Sequence, residues 1–495
     1  MGSPQKNWGD IQKSLQHYIK CAQGIIRLQL GLETDNGETV WRMGIIRAVG
    51  TAEKDDEFVD LVSACQTGIS SSNGNLKSKR FWIGALKCFF FFFFSYCEMA
   101  SGSTLSSESL LQRLRKEVQR TECPVTYLAL VEGIDLADEE ISFGEFRLQR
   151  LQRQDLEDFL NAPMLRVFYP RAVEGIDRLA GHYFLVATGG ADTRFSGRIN
   201  VPGLSGKVQQ RPTMMPLEVE RGLKILALYD WQPRWALDDQ KRETKSHIGW
   251  QGFSVPALIA LTDDSFDVPQ PLPTAEIDME PVLDQQGRDV GLRPMPPYFK
   301  LDETETAKFG AFLKRMSARL DRIYAEEDAS RFLKVATDFL LRAQLCGGME
   351  QLLWHITAIE AVLSEDKPGV TKLLCRRLGL ILGETKKARK DIAKRFGKLY
   401  DFRCRLVHGK EGKPEVFQGH LAEARRFARA TVCWGIRAFD HVLQKSKQMG
   451  EPDKYRPRRE DLLRLLDLDE QERDRLSAQT FWLPDDFPCV SDWTE

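Results

Sequence analysis

The sequence predicts an α+β protein, with an N-terminal mixed, mostly β domain followed by a C-terminal all-α helical bundle. Three observations predict it. Short apolar or alternating runs separated by Gly, Asp and Asn fill the stretch after Cys123. A proline-rich break follows, and beyond it apolar residues recur at helical spacing as far as residue 445.

Residues 1–98 carry the weakest signals: a helix around 10–28, a strand at 40–49 and a Ser/Asn/Gly-rich loop at 68–74. The run 81–97 is almost continuously apolar, holds six consecutive phenylalanines from Phe89 to Phe94, and follows Lys77, Lys79 and Arg80. At about 17 residues, interrupted by Lys87, it is at the short limit for crossing a hydrocarbon core of roughly 30 Å. It also lies too far from the N-terminus for an ordinary signal peptide. Three readings stay open: a membrane anchor, an unusual native N-terminal region, or translated upstream sequence with the native start at Met99. The last is preferred, because identical large rings interdigitate poorly in a packed core, and membrane association is not expected.

The spacing of Leu110, Leu111, Leu114 and Val118 predicts a helix over 107–120. Strands are predicted at 126–131, 145–151, 183–188, 224–229 and 253–261, with a helix at 153–160, giving an α+β sensor domain over 99–267. Seven prolines (Pro269, Pro271, Pro273, Pro281, Pro294, Pro296 and Pro297) mark 268–301 as a linker. Five apolar stripes then build a bundle over 302–445. They run through Phe309 to Ile323, Phe332 to Ala343, Leu352 to Leu363, Ile392 to Leu406, and Leu421 to Leu443. The charged tail, 446–495, has a helical pattern at 459–476 and an aromatic patch (Phe481, Trp482, Phe487, Trp493), and is expected to pack back on the bundle.

A net charge of −1 exerts no global pull toward nucleic acid or membrane, so any electrostatic preference must be local. The ten cysteines are scattered, with no Cys-x-x-Cys pair and no His nearby at zinc spacing. Neither a disulfide framework nor a metal or other cofactor is expected, and reduced thiols fit a cytoplasmic protein. Gly203 to Lys207 resembles a phosphate loop only superficially, with Val201 where the first glycine belongs and Val208 where a magnesium-binding hydroxyl belongs. No zinc-protease or α/β-hydrolase motif occurs.

The chemistry concentrates in 400–410. Arg403 falls near the centre of the fourth stripe, so a core position holds a guanidinium, which must meet a carboxylate or line a cleft. Glu360, on the third stripe's edge, is the expected partner. His408 precedes Gly409 at a helix stop signal, where the helix dipole favours a cation and a histidine can move protons near neutral pH. The spacing alone is unspecific, since Arg242 and His247 share it in a polar run with no apolar helix around them.

The runs Ala358-Ile359-Glu360-Ala361-Val362-Leu363, Arg376-Arg377-Leu378 and Leu399-Tyr400-Asp401-Phe402-Arg403-Cys404-Arg405-Leu406-Val407-His408-Gly409 carry a resemblance. Over roughly 302–445 the chain resembles the Apea-like branch of the HEPN superfamily, helical bundles whose Arg/His motif often marks a metal-independent ribonuclease of bacterial toxins and antiphage defence. Cys404 stands where many such nucleases carry a polar residue. The resemblance implies Arg403 and His408 as catalytic residues, Glu360 and Tyr400 as support, and a homodimer. On an ideal helix Arg403 and His408 stand about 140° apart, too divergent for one helix to close a site on a single phosphate. Two facing helices would supply it instead, with the 2′-hydroxyl of RNA as nucleophile. Lys394, Arg395, Lys398, Arg405 and Lys410, within a wider basic cluster, suit an RNA backbone. A cellular or phage trigger would act on the N-terminal domain. The competing class is a non-catalytic RNA-binding or scaffold protein using the same bundle.

Overall fold

The computed structural model describes residues 8–30, 56–69, 83, 86–87, 89–90, 107–119, 122–131, 133–159, 176–177, 179–192, 215–231, 258–262, 279–283, 289–294, 299–326, 329–365, 369–409, 414–448 and 458–467. The elements run α1 (Trp8–Leu30), α2 (Asp56–Ile69), α3 (Ser107–Gln119), β1 (Glu122–Val131), β2 (Ile134–Asp135), β3 (Glu140–Phe143), β4 (Phe146–Arg150), α4 (Arg153–Phe159), β5 (Tyr183–Asp192) and α5 (Leu217–Ala227). They continue β6 (Leu258–Thr262), β7 (Met279–Leu283), β8 (Asp289–Pro294), β9 (Phe299–Lys300), α6 (Glu303–Tyr324), α7 (Arg331–Gln344), α8 (Gly348–Leu363), α9 (Val370–Leu382), α10 (Lys386–Val407), α11 (Pro414–Gln448) and α12 (Arg459–Asp467). This is an α+β chain: among the described residues every strand lies between Glu122 and Lys300, and only helices follow. It divides into two units: Met1–Leu130, Arg150–Gln210 and Ala257–Pro294 form one, and Val131–Gln149, Arg211–Pro256 and Met295–Glu495 form the other.

In the first unit α1 and α2 pack through stripes at three-four spacing. Ile11, Leu15, Tyr18 and Ala22 of α1 and Phe58, Leu61, Val62 and Cys65 of α2 are buried. The Tyr18 ring meets Phe58 at 5.3 Å and Phe90 at 4.6 Å. Phe89 and Phe90 are buried and stand edge-on at 79°, so two members of the phenylalanine run avoid the packing problem of identical rings by turning perpendicular. The rest of that run, the strand expected at 40–49 and most of the loop at 68–74 lie outside the described residues. No helix among the described residues is long and apolar enough to cross a membrane.

Strands β5, β1 and β6 lie side by side in that order, β1 antiparallel to β6 with Leu128 opposite Ile259. An apolar cluster of Leu128, Leu130, Phe184 and Val186 is covered by Leu156 of α4, whose position matches the predicted helix. Part of the proline-rich stretch is a hairpin rather than open linker: β7 and β8 pair antiparallel, Pro281 opposite Leu292. In a two-stranded ribbon every strand is an edge, so a proline can turn its missing donor outward.

In the second unit the strand expected at 224–229 is corrected: these residues belong to α5 and the turn after it. A short apolar run has no periodicity of its own, and the residues from 224 on are only the last turn of a helix whose exposed and half-buried positions, Leu217, Glu218 and Arg221, lie before it. Lys224 is tolerated inside because Glu220, one turn earlier, approaches it at 2.8 Å and Asp338 of α7 joins them. The β3–β4 hairpin turns at Gly144 (φ +60°), where a Cβ would strike the Ser317 hydroxyl of α6. Five predicted stripes appear as α6, α7, α8, α10 and α11. The helix α9, with Leu374 and Leu378 buried among basic residues, is an addition. On α7 the buried face is Leu333, Ala336, Leu340, Leu341 and Ala343, so of the expected stripe Ala336 and Ala343 are buried while Phe332 and Phe339 are only half-buried. Phe339 instead stacks on Trp354 at 5.3 Å. Asp440 of α11, 3% exposed, takes a two-pronged pair from Arg322 of α6 at 2.7 and 2.8 Å.

A close backbone approach sits beside the candidate site. A Cβ on Gly379 would lie 2.6 Å from the Arg389 carbonyl oxygen, and one on Gly383 2.6 Å from the Arg389 nitrogen. Only glycine lets α9 come this near α10. Gly379→Ala is expected to destabilise the protein by about 1–3 kcal/mol through overpacking, read as a lower urea midpoint with unchanged slope.

Candidate active site

Helix α10 begins at Thr385, whose hydroxyl accepts the Ala388 N–H at 3.1 Å. It ends where the stop signal predicts. His408 is its C-cap, its N–H reaching the Cys404 carbonyl at 3.2 Å, and Gly409 takes the left-handed conformation at φ +72°. The buried line is Phe396, Leu399 and Phe402, rotated from the one expected, so Ile392 and Leu406 are only half-buried. Arg403 therefore lies at the edge of the stripe rather than its centre, half-buried.

Of the sequence-predicted residues, Glu360, Tyr400 and Arg403 come together as a chain of contacts, and His408 is not part of it. The Tyr400 hydroxyl donates to Glu360 Oε1 on α8 at 2.7 Å. The Arg403 guanidinium stands over the Tyr400 ring, 5.7 Å from its centre. Glu360 thus holds the tyrosine, and the tyrosine rather than the carboxylate supports the arginine. Burial, then the hydrogen bond to Glu360 and that carboxylate's charge, push the Tyr400 phenol well above its ordinary range, so it remains a donor across the neutral range. Arg403 Nε is buried and makes no hydrogen bond among the described residues. A buried donor left unspent costs about 1–3 kcal/mol, a cost that the Nε atoms of Arg342, Arg425 and Arg437 share among the described residues. His408 is exposed beside Val407, itself 53% exposed.

The basic flank divides in two. Lys394, Lys398 and Arg405 are exposed, Arg405 lying over the Phe402 ring at 5.7 Å. Arg395 is committed to Glu423 of α11 at 2.6 Å, and Arg389 donates from Nε to the Gly383 carbonyl at 2.9 Å. Lys410 lies outside the described residues.

Two contributors were not singled out from sequence. His420 of α11 packs on Phe402 with ring centres 4.5 Å apart, and burial, against the pull of Glu423, lowers its pKa. Arg459 of α12 donates to the carbonyl of Glu360 at 3.1 Å and to those of Val362 and Ser364, capping the end of α8. Beside it the buried Arg377 pairs with Asp467 at 2.5 Å and donates to the Leu363 carbonyl. A helical period cannot announce a contact between segments so far apart in the chain. Residues 458–467 of the expected tail meet α8 and α9 through these bonds, while the aromatic patch beyond lies outside the described residues.

One turn before Ile359, His355 is fully buried, and neither ring nitrogen has a hydrogen-bond partner among the described residues. Burial, then the nearby Arg425 guanidinium, holds its pKa well below the ordinary range. The unfolded chain takes up a proton near pH 6.5 that the folded chain refuses, so His355's contribution to stability is intact above that pH and declines below it. Denaturation series between pH 7 and 5 should show this fall, by up to about 1.4 kcal/mol per pH unit, and a shallower one in His355→Leu. No family model, curated protein or solved structure matches the chain.

Proposed function

We propose that the chain is a metal-independent endoribonuclease effector of HEPN type, with Arg403 and His408 as its catalytic residues and the N-terminal region as a sensor. One observation carries the reading: an arginine with an unspent buried donor, steadied by the Glu360-anchored Tyr400, on the helix whose end holds His408 in solvent. A buried cation edge with no acceptor among the described residues suits the charge that develops on phosphoryl oxygens. An exposed histidine suits proton transfer from the 2′-hydroxyl and to the 5′-oxygen leaving group. The exposed Lys394, Lys398 and Arg405 supply backbone contacts. The wide angle between positions 403 and 408, with exposed Val407 beside the histidine, favours a composite site across a homodimer in which Arg403 of one protomer meets His408 of the other. The role in defence or toxin-like growth control follows from the resemblance of 399–409.

RNA cleavage in excess EDTA tests this reading. Wild type should cleave, while His408→Ala and Arg403→Ala each lose about 10²- to 10⁴-fold. Tyr400→Phe should lose about tenfold, the worth of one hydrogen bond. Equal behaviour of wild type and His408→Ala, in cleavage and in expression toxicity, reduces the bundle to an RNA-binding or scaffolding role. Mixing the two alanine variants probes the dimer, because a heterodimer rebuilds one intact site of two. Statistical exchange should restore roughly a quarter of wild-type activity, and none would return from a site contained in one protomer.

A further inference from the structure

Apart from the α10 site, the described residues hold a group of donors that the proposed chemistry does not use. His17 and Cys21 stand one turn apart on the same face of α1, and Glu57, in the first turn of α2, faces them. One ligand atom from each lies within 4.8 Å of the other two, and His17 Nε2 is 3.8 Å from Glu57 Oε1. We propose that His17, Cys21 and Glu57 form a binding site for a borderline divalent cation, zinc, bridging α1 and α2.

The donor set selects the metal. A thiolate with an imidazole suits zinc and disfavours magnesium and calcium, which take oxygen ligands. Zinc bonds of roughly 2.0–2.3 Å in a tetrahedron place donors about 3.3–3.8 Å apart. The His17–Glu57 separation already falls there, and the others need only side-chain adjustment. The backbone beneath is fixed, since Ile11, Leu15, Tyr18 and Ala22 are buried on α1 and Phe58, Leu61 and Val62 on α2. The His17 and Glu57 side chains are 66% and 31% exposed and Cys21 is half-buried, so an ion enters from solvent and keeps a fourth position for water. Binding displaces the thiol proton of Cys21 to solvent, so affinity rises with pH. The expectation that no His stands near a cysteine at metal-binding spacing overlooks His17 and Cys21, four residues apart; only the third ligand comes from another helix.

Full-length protein, stripped with EDTA and desalted, is titrated with cobalt(II), whose thiolate charge-transfer absorption reports Cys–metal bonding, and then with zinc to displace it. The expected result is one saturable cobalt per chain at this site, with the absorption abolished by Cys21→Ser. Affinity should fall at least tenfold in His17→Ala and in Glu57→Gln, with circular dichroism unchanged. No charge-transfer band, or a band and affinity unaltered by these substitutions, overturns the proposal. If Cys21→Ser does not fold, His17→Ala and Glu57→Gln decide it. RNA cleavage in EDTA is indifferent to this outcome, so the two proposals fail separately.

Discussion

The hydrogen bond from Tyr400 to Glu360 is the contact on which the candidate site depends. It joins α10 to α8 across the bundle and fixes the ring on which Arg403 rests. A guanidinium on a long, rotamer-rich side chain loses considerable freedom when fixed. Here part of that ordering is done beforehand by a ring with two torsions, itself held by a charge-assisted bond. The close approach of α9 at Gly379 and Gly383 sets the other side of α10. The helix is therefore held from two directions, and His408 lies just beyond the part so held.

The C-terminal helix belongs to the same construction. Arg377 is buried in α9, and Asp467 supplies its charge partner from α12 together with Glu365. A buried guanidinium without carboxylates would be expensive, which ties the stability of 302–448 to a segment that composition alone marks as a charged tail. Arg459 extends the connection to the last turn of α8, from which Glu360 reaches Tyr400.

The bundle was largely legible in the sequence because three-four spacing survives wherever one face stays wet, as in α6, α8, α10 and α11. It failed where a run was too short to show a period. The 224–229 run takes in only the last turn of α5 and the turn after it, and it reads as a strand. The face of α7 was misjudged by taking Phe332 and Phe339 for core, when aromatic stacking keeps Phe339 at the rim against Trp354. At the site, the helix stop at His408 could be read from turn chemistry, whereas Glu360, expected to meet Arg403, pairs with Tyr400 instead. The support of Arg403 by a ring, the loss of Arg395 to Glu423, and the Arg459 cap could not, because each is decided by which neighbour stands within a few ångströms.

Arg459 grips main-chain oxygens rather than side chains. Such a grip is blind to the identity of the residues it holds, so positions 362 and 364 can drift in sequence without slackening it. Correlated change between α8 and α12 would leave no trace of this tether. Its only signature in a sequence is a single arginine placed ahead of a short amphipathic stretch, easily dismissed as part of a soluble tail.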